Sequence, residues 1–287
     1  MRIVSAIAET RAAVRELRAE GRSVGFVPTM GALHAGHLSL IRAARAQCDA
    51  VVVSIFVNPA QFGPNEDFEK YPRTWDADCA MLESEGVDLI FAPSAVEMYP
   101  ETYRAGASTF VDVEGVSDRL DGESRPGHFR GVATVVAKLF HIIGPDRAFF
   151  GQKDAAQVAV VRRMVRDLDF GLELVVCPTV REAGGLALSS RNRYLSPEER
   201  RQGLVLSKAL QRVEERVAQG ASDAATLIGD ALTVLSGEPN VRLDYFKIVD
   251  SETLEDVADV RNGALAAIAA VVGTTRLIDN TVIELPK

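Results

Sequence analysis

Residues 49–57 read Asp-Ala-Val-Val-Val-Ser-Ile-Phe-Val, a run too densely apolar and β-branched to alternate between a wet and a dry face. A strand of that kind is buried on both sides, and such strands belong to parallel sheets covered by helices. The preceding segments agree. Residues 23–27 form another short apolar run, and residues 38–47 place Leu40, Ile41 and Ala44 at helical spacing. Strand, helix and strand over this length make a βαβ unit. The expected fold is therefore α/β with a Rossmann-like parallel sheet, and ligands are expected beyond the C-terminal ends of its strands.

The first of those ends is residues 27–38, Val-Pro-Thr-Met-Gly-Ala-Leu-His-Ala-Gly-His-Leu. Gly31 and Gly36 permit close backbone approach. A helix starting here turns free N–H groups and the positive end of its dipole outward, which suits a phosphate. His34 and His37, three apart, are expected on one helix face, about 5–6 Å apart at Cβ, where imidazoles can donate to phosphate oxygens. Taken alone, the pair also fits half a metal site or plain surface. Zinc needs further His or Cys ligands, and Cys48 lacks the spacing. The glycines and the Pro28-Thr29-Met30 lead-in favour phosphate.

Further strand ends follow the same plan. The loop at 58–67 carries Asn58 and Gln61, neutral amides that donate and accept, although Asn58-Pro59 is also turn chemistry. A helix over 74–85 bears Asp76, Asp78, Glu83 and Glu85. It reads as a solvated face, with one carboxylate a candidate ligand for Mg2+ carried on a triphosphate. Residues 87–92 and 108–113 read as strands and 132–143 as a helix. His141 on that helix is expected in the core, and His128 in the turn before it is expected to pack beside the site. A strand at 147–150 enters Gly151-Gln152-Lys153-Asp154, where Lys153 is a point charge suited to phosphate. Asp154 is suited to cap the next helix, and Gln157 faces the same way as Lys153. A strand at 172–177 precedes Gly184-Gly185, Ser189-Ser190 and Arg191, an anion-binding loop or a domain linker.

From residue 196 the texture changes to two helices, 196–219 and 223–235, then strands at 241–249, 264–272 and 275–283, with Asn262-Gly263 a hairpin-type turn. The expected division is a Rossmann-like domain over 1–185 and a smaller α+β lid domain over 186–287. A net charge of −8 with no basic run longer than a pair argues against nucleic acid. No stretch of 18 apolar residues suggests a membrane span, and no signal-peptide pattern opens the chain. Cys48, Cys79 and Cys177 lack any C-x-x-C spacing, which suits a reducing cytoplasm.

In order along the chain, Pro28-Thr29-Met30-Gly31 with His34 and His37, Phe56-Val57-Asn58-Pro59 with Gln61-Phe62, Tyr71-Pro72-Arg73, Arg125-Pro126-Gly127-His128-Phe129, Gly151-Gln152-Lys153-Asp154 with Gln157, and Ser189-Ser190-Arg191-Asn192 together resemble the pantothenate synthetase (pantoate–β-alanine ligase) family of the HIGH-motif nucleotidyltransferases. Leu188 departs from the Met usual there, a position where backbone contacts survive. The resemblance implies an ATP-dependent ligase that makes pantoyl adenylate and pyrophosphate, then amide and AMP. It implies ATP contacts from Met30, Gly31, Ala32, Leu33, His34, Ala35, Gly36 and His37, from Gly151, Gln152, Lys153 and Asp154, and from Val180, Leu188, Ser189, Ser190 and Arg191. It gives His37 the role of proton donor, Gln61 and Gln157 pantoate, and Gln61 the border of the β-alanine site. The chemistry of the residues agrees: His34, His37, Lys153, Arg191 and a helix N-terminus are read as supplying positive charge. Loops 61–70 and 184–191 are expected to act as lids against water. A homodimer is expected too, from the family and from apolar segments at 49–57 and 132–143 that exceed one sheet's needs. The rivals are an adenylyltransferase with no amine acceptor and a non-catalytic nucleotide-binding module; a tRNA synthetase is disfavoured by the acidic chain.

Overall fold

The fold, seen in a computed structural model, is described for residues 1–64, 66–100 and 109–284. The first part runs β1 (Arg2–Val4), α1 (Ile7–Ala19), β2 (Val24–Thr29), α2 (Ala35–Gln47), β3 (Ala50–Ile55), α3 (Trp75–Ser84), β4 (Leu89–Phe91), α4 (Ala95–Met98), α5 (Asp121–Ser124), α6 (His128–Ile143), β5 (Arg147–Gly151), α7 (Ala155–Asp167) and β6 (Glu173–Cys177). Its six strands lie in the order β1-β4-β3-β2-β5-β6, every pairing parallel.

Alternation along the central strands sorts the helices. Phe26 and Val52 join the core under α1, α6 and α7, whereas Val27, Val51 and Val53 join the core under α2 and α3. Both faces are dry, so β3 is apolar but for the buried Ser54. The second part comprises α8 (Pro197–Ala218), α9 (Ala224–Leu235), β7 (Val241–Val249), β8 (Ala264–Val272) and β9 (Thr275–Ile283), an antiparallel sheet in the order β7-β8-β9. Ser196 and Glu199 close a capping box at the start of α8. Ala264, Ala266, Ile268, Ala270 and Val272 pack with α8 and α9, while Leu265 and Ala267 join the large core of the first part. That double burial explains the unbroken apolar run of β8.

Several expectations are corrected. Residues 109–113 form no strand, and Ser108 lies outside the described residues. The Val111 N–H instead donates to Thr134 Oγ1 at 3.0 Å. The short strand β1 adds to the expected set. His141 is exposed rather than buried, its ring 5.0 Å from that of Phe170. Asn262-Gly263 leads into β8 without joining neighbouring strands. The two-residue hairpin is Gly273-Thr274, with Gly273 at φ +59. The apolar surplus of β3 and α6 is consumed inside the fold, since α6 is buried along most of its length between α1, α7 and the sheet. It supplies no argument for a dimer.

Candidate active site

Strands β2 and β5 are neighbours, with Gly25 opposite Arg147 and Phe26 opposite Ala148, yet they lead to helices on opposite faces of the sheet. The chain therefore parts beyond their C-terminal ends, and a crevice opens at this topological switch point. The crevice has a volume of about 230 Å³. A second hollow of about 690 Å³ shares Lys153, Asp154 and Arg191 as a wall and extends to Arg276 and Asp279 on β9.

The corner after β2 is built around a buried carboxylate. Asp78, 1% exposed on α3, accepts the N–H groups of Ala32 and Leu33, both at 2.9 Å, and the Thr74 hydroxyl at 3.0 Å. Gly31 and Ala32 both adopt positive φ, +78 and +51, and this carboxylate holds the turn they make. The Gly31 N–H donates to Thr29 Oγ1. His34 is the N-cap of α2 rather than a residue of the helix: its Nδ1 accepts from the Gly36 N–H at 3.2 Å, and Nδ1 of His37 accepts from the His34 N–H at 3.3 Å. A Cβ at position 36 would come within 2.9 Å of the His34 ring, so Gly36 is what lets the ring fold back.

Two expectations change with this geometry. The amides of Gly36 and His37 are already used, the latter by the His34 carbonyl, so they do not point freely at a phosphate. The rings take their place: with Nδ1 accepting, the single proton of each neutral imidazole sits on Nε2. The imidazoles also carry no charge at neutral pH. Burial first, then Lys153, brings His34 down to about 4, and burial first, then His34, brings His37 to about 3. Their ring centroids are 4.1 Å apart.

The opposite wall carries the charge. Lys153 Nζ lies 3.2 Å from Asp154, and Arg191 grips Asp67 through Nε at 3.0 Å and Nη2 at 2.9 Å. Asp154 does not cap α7 with its side chain. Burial pushes its carboxyl up, but Lys153, His37 and Arg191 together outweigh burial and leave it below the usual range. Asn280 of β9 braces the corner, donating to the carbonyls of Gln152 at 2.9 Å and Lys153 at 2.8 Å.

Met30, His34, Gly36, His37, Gln61, Gly151, Lys153, Asp154, Gln157, Val180, Leu188, Ser189, Ser190 and Arg191 all line the crevice. Gly31, Ala32, Leu33 and Ala35 do not, nor does Gln152, whose amide turns to Asn280 at 3.0 Å. The acidic α3 offers the crevice no ligand, since Asp76, Asp78, Glu83 and Glu85 are all outside its lining. His128, now the first residue of α6, accepts from Arg125 at Nε2 and donates through Nδ1 to the Gln61 carbonyl at 2.8 Å. Burial and Arg125 hold it near 4. Asp67, Asp78 and Asn280 carry no local sequence signal; apart from the Thr74 hydroxyl on Asp78, the partners that place them here lie 45 to 128 residues away.

A parallel α/β sheet with a cleft at its switch point, neutral imidazoles on one side and exchangeable cations on the other, defines a nucleotide-using enzyme. The family model described as Pantoate-beta-alanine ligase matches residues 2–282, and the chain belongs to that family. It is 66% identical to the pantothenate synthetase of Acidobacterium capsulatum, over 99% of this chain and 97% of that one. It is 60% identical to that of Koribacter versatilis, over 99% and 96%. The pantothenate synthetase structure from Thermus thermophilus superposes with a TM-score of 0.92 at 51% identity, covering 98% of this chain and 99% of that one. A pantoate–β-alanine ligase from Francisella tularensis, solved with beta-gamma ATP and β-alanine, gives 0.80 at 33% identity, covering 98% and 97%.

Proposed function

We propose that the β2/β5 crevice activates pantoate with ATP and passes the pantoyl group to β-alanine. A pantoate carboxylate oxygen attacks the α-phosphorus, the bond from that phosphorus to its bridging oxygen breaks, and pyrophosphate leaves. The β-alanine amine then attacks the acyl carbon, the bond to AMP breaks, and pantothenate forms. One observation carries the reading: His34, His37, Lys153, Arg191, Gln61 and Gln157, drawn from segments far apart in sequence, line one crevice. The Francisella relative, solved with beta-gamma ATP and β-alanine, supports the same substrates.

In this reading residues 30–37, 151–154, Val180 and 188–191 contact ATP, with Asp78 holding the first of these runs from behind. His37 acts as donor through the Nε2–H of its neutral imidazole, hydrogen-bonding the phosphate oxygens as charge gathers on them and keeping its own proton. Lys153 and Arg191 receive the triphosphate in exchange for their present carboxylates. Gln61 and Gln157 hold pantoate without pairing with, and so blunting, its carboxylate nucleophile, and Gln61 also borders β-alanine. Loops 61–70 and 184–191 close the site. Among the described residues no cluster of three His, Cys, Asp or Glu forms a cage for a metal, and the carboxylates beside the cleft are held by Arg191 and Lys153. A Mg2+ ion carried on ATP would neutralise charge on the phosphates beside Lys153 and Arg191.

The domain division at 185/186 is supported by the second core, whose first buried member is Leu186. A homodimer in the cytoplasm completes the reading. Three free thiols support the compartment, and among the described residues no helix is long and apolar enough to cross a membrane. The test is stepwise. Pyrophosphate should appear with ATP and pantoate alone, and AMP only when β-alanine is added. AMP release that ignores β-alanine overturns the ligase reading and leaves the adenylyltransferase.

A further inference from the structure

The two glutamines of the crevice are held very differently. Gln157 shows no hydrogen bond from its side chain among the described residues, whereas Gln61 is fixed on every side. Its carbonyl takes the His128 Nδ1–H at 2.8 Å, and its Oε1 takes a hydrogen bond from Asn58 Nδ2 at 3.0 Å. Asn58 is 1% exposed, and its own orientation is not free. Its Oδ1 faces the Ala60 N–H, which can only donate, at 3.2 Å, and its Nδ2 faces the Gly131 carbonyl, which can only accept, at 3.1 Å. The second acceptor position of that Oδ1 is taken by the Tyr99 hydroxyl at 2.7 Å. The turn that carries Gln61 is pressed against α6 so closely that a Cβ on Gly131 would lie 2.2 Å from the Ala60 carbonyl oxygen. Neither the turn nor Asn58 can shift to offer a different edge.

We infer that Tyr99 and Asn58 form a polarity relay: the Tyr99 O–H donates to Asn58, Asn58 donates to Gln61, and Gln61 is thereby compelled to turn its amide N–H, and not its carbonyl, toward the substrate. The geometry around the far end agrees, since Gln61 Nε2 lies 3.3 Å from the Met30 sulfur, a weak acceptor at the crevice wall that a substrate oxygen readily outbids. The inference rests on the reading of Gln61 as a pantoate-holding residue and adds its sign. The crevice presents a fixed donor to a pantoate oxygen at Gln61, while Gln157, without a lock, can offer either end of its amide. Tyr99 and Asn58 are positioning residues that act through Gln61. An amide free to rotate would present its carbonyl half the time and repel an oxygen-rich acid; the relay removes that alternative before substrate arrives.

The test uses the full chain, with KM for pantoate and for ATP measured by pyrophosphate release. Tyr99→Phe keeps the ring and removes one neutral hydrogen bond from the relay. It should raise the pantoate KM about fivefold and leave the ATP KM and the melting temperature nearly unchanged. Asn58→Asp can no longer donate, so Gln61 turns its N–H back to Asp and its carbonyl to the substrate; the pantoate KM should rise about 10²-fold or more. In a Gln61→Ala background, Tyr99→Phe should add nothing. If Asn58→Asp does not fold, Tyr99→Phe and the cycle with Gln61→Ala decide alone. The relay is overturned if Tyr99→Phe raises both KM values alike, or if its effect persists undiminished in Gln61→Ala. A pantoate KM untouched by Gln61→Ala removes the substrate reading and the relay together. A KM raised by Gln61→Ala but not by Tyr99→Phe removes the relay only.

Discussion

After β2 the amides of Gly31, Ala32, Leu33, His34 and Gly36 all have protein partners, and the two imidazoles are neutral. After β5 and at the 189–191 loop the reverse holds: Lys153 and Arg191 are full charges, paired with half-buried carboxylates that an incoming phosphate can replace. Chemistry that gathers charge at one phosphorus atom gains most from donors that need no rearrangement at the moment of reaction. Capturing a highly charged, flexible triphosphate gains most from cations that exchange partners. On the proposed reading of these residues, the two corners divide that labour. The first should govern turnover and the second should govern ATP capture.

The sharpest break would come from substitutions that separate the two roles. His37→Ala should cut kcat by about 10²-fold or more while ATP KM moves little; unchanged turnover in a steady-state assay would end the role given to His37. Lys153→Ala should act on the other side, raising ATP KM by about tenfold or more as a charge-assisted bond is lost. If it lowers kcat alone, the division of labour is wrong. Asp78→Asn replaces an acceptor with a donor facing backbone N–H groups. It should cost about 2–3 kcal/mol in chemical denaturation and, by loosening the turn at Gly31 and Ala32, lower kcat about tenfold with ATP KM nearly kept.

The imidazole charge state gives a further check. His34, His37 and His128 stand near 4, 3 and 4 in the folded chain, below the value of about 6.5 they take when unfolded. Depressed values mean the unfolded chain binds more protons on acidification. The stability these neutral rings contribute is therefore complete above about pH 6.5 and is lost as pH falls toward 4 and 3. At pH 5 each contributes a loss of about 2 kcal/mol relative to pH 7. Denaturation at the two pH values measures it, and the drop should be smaller in His37→Ala. A kcat/KM profile with an acid limb near 6.5 that His37→Ala abolishes would put the imidazole at its ordinary value and overturn the depressed one, and activity lost on raising the pH through 6.5 would mean that the charged form is the working one.

How much of this is legible in the sequence follows from how far apart the partners lie. The β-branched run at 49–57 and the glycines at 31 and 36 act through their own neighbours, so the parallel sheet and its corners can be read from periodicity. The acids of α3 read as a solvated face because nothing near Asp78 in sequence reveals that its oxygens meet amides 45 and 46 residues away. Asn280 reaches back 128 residues to Gln152 and 127 to Lys153 for the same kind of reason. His141 reads as core because its helix is apolar, yet it occupies the one polar stripe of α6, and β1 is three residues long, too short for any period to show. Local patterns locate the site; only the folded chain shows which groups are already spoken for.

The smallest expected effect tests the exchange itself. Asp67 holds Arg191 by two bonds while both side chains remain partly exposed, at 25% and 30%. An ion pair of that kind is worth about 0–1 kcal/mol, so a triphosphate must give up no more than that to displace the carboxylate. Asp67→Asn removes the competing charge and should lower ATP KM, by about fivefold at most. The gain should shrink as salt is raised, because added ions screen the carboxylate's repulsion of the phosphates. A rise in ATP KM would mean that Asp67 helps to hold the bound nucleotide, and the pairing with Arg191 would then be part of the closed site rather than a placeholder. A fall in ATP KM accompanied by loss of kcat would place Asp67 in both states: released by ATP, then needed again when the 61–70 loop closes.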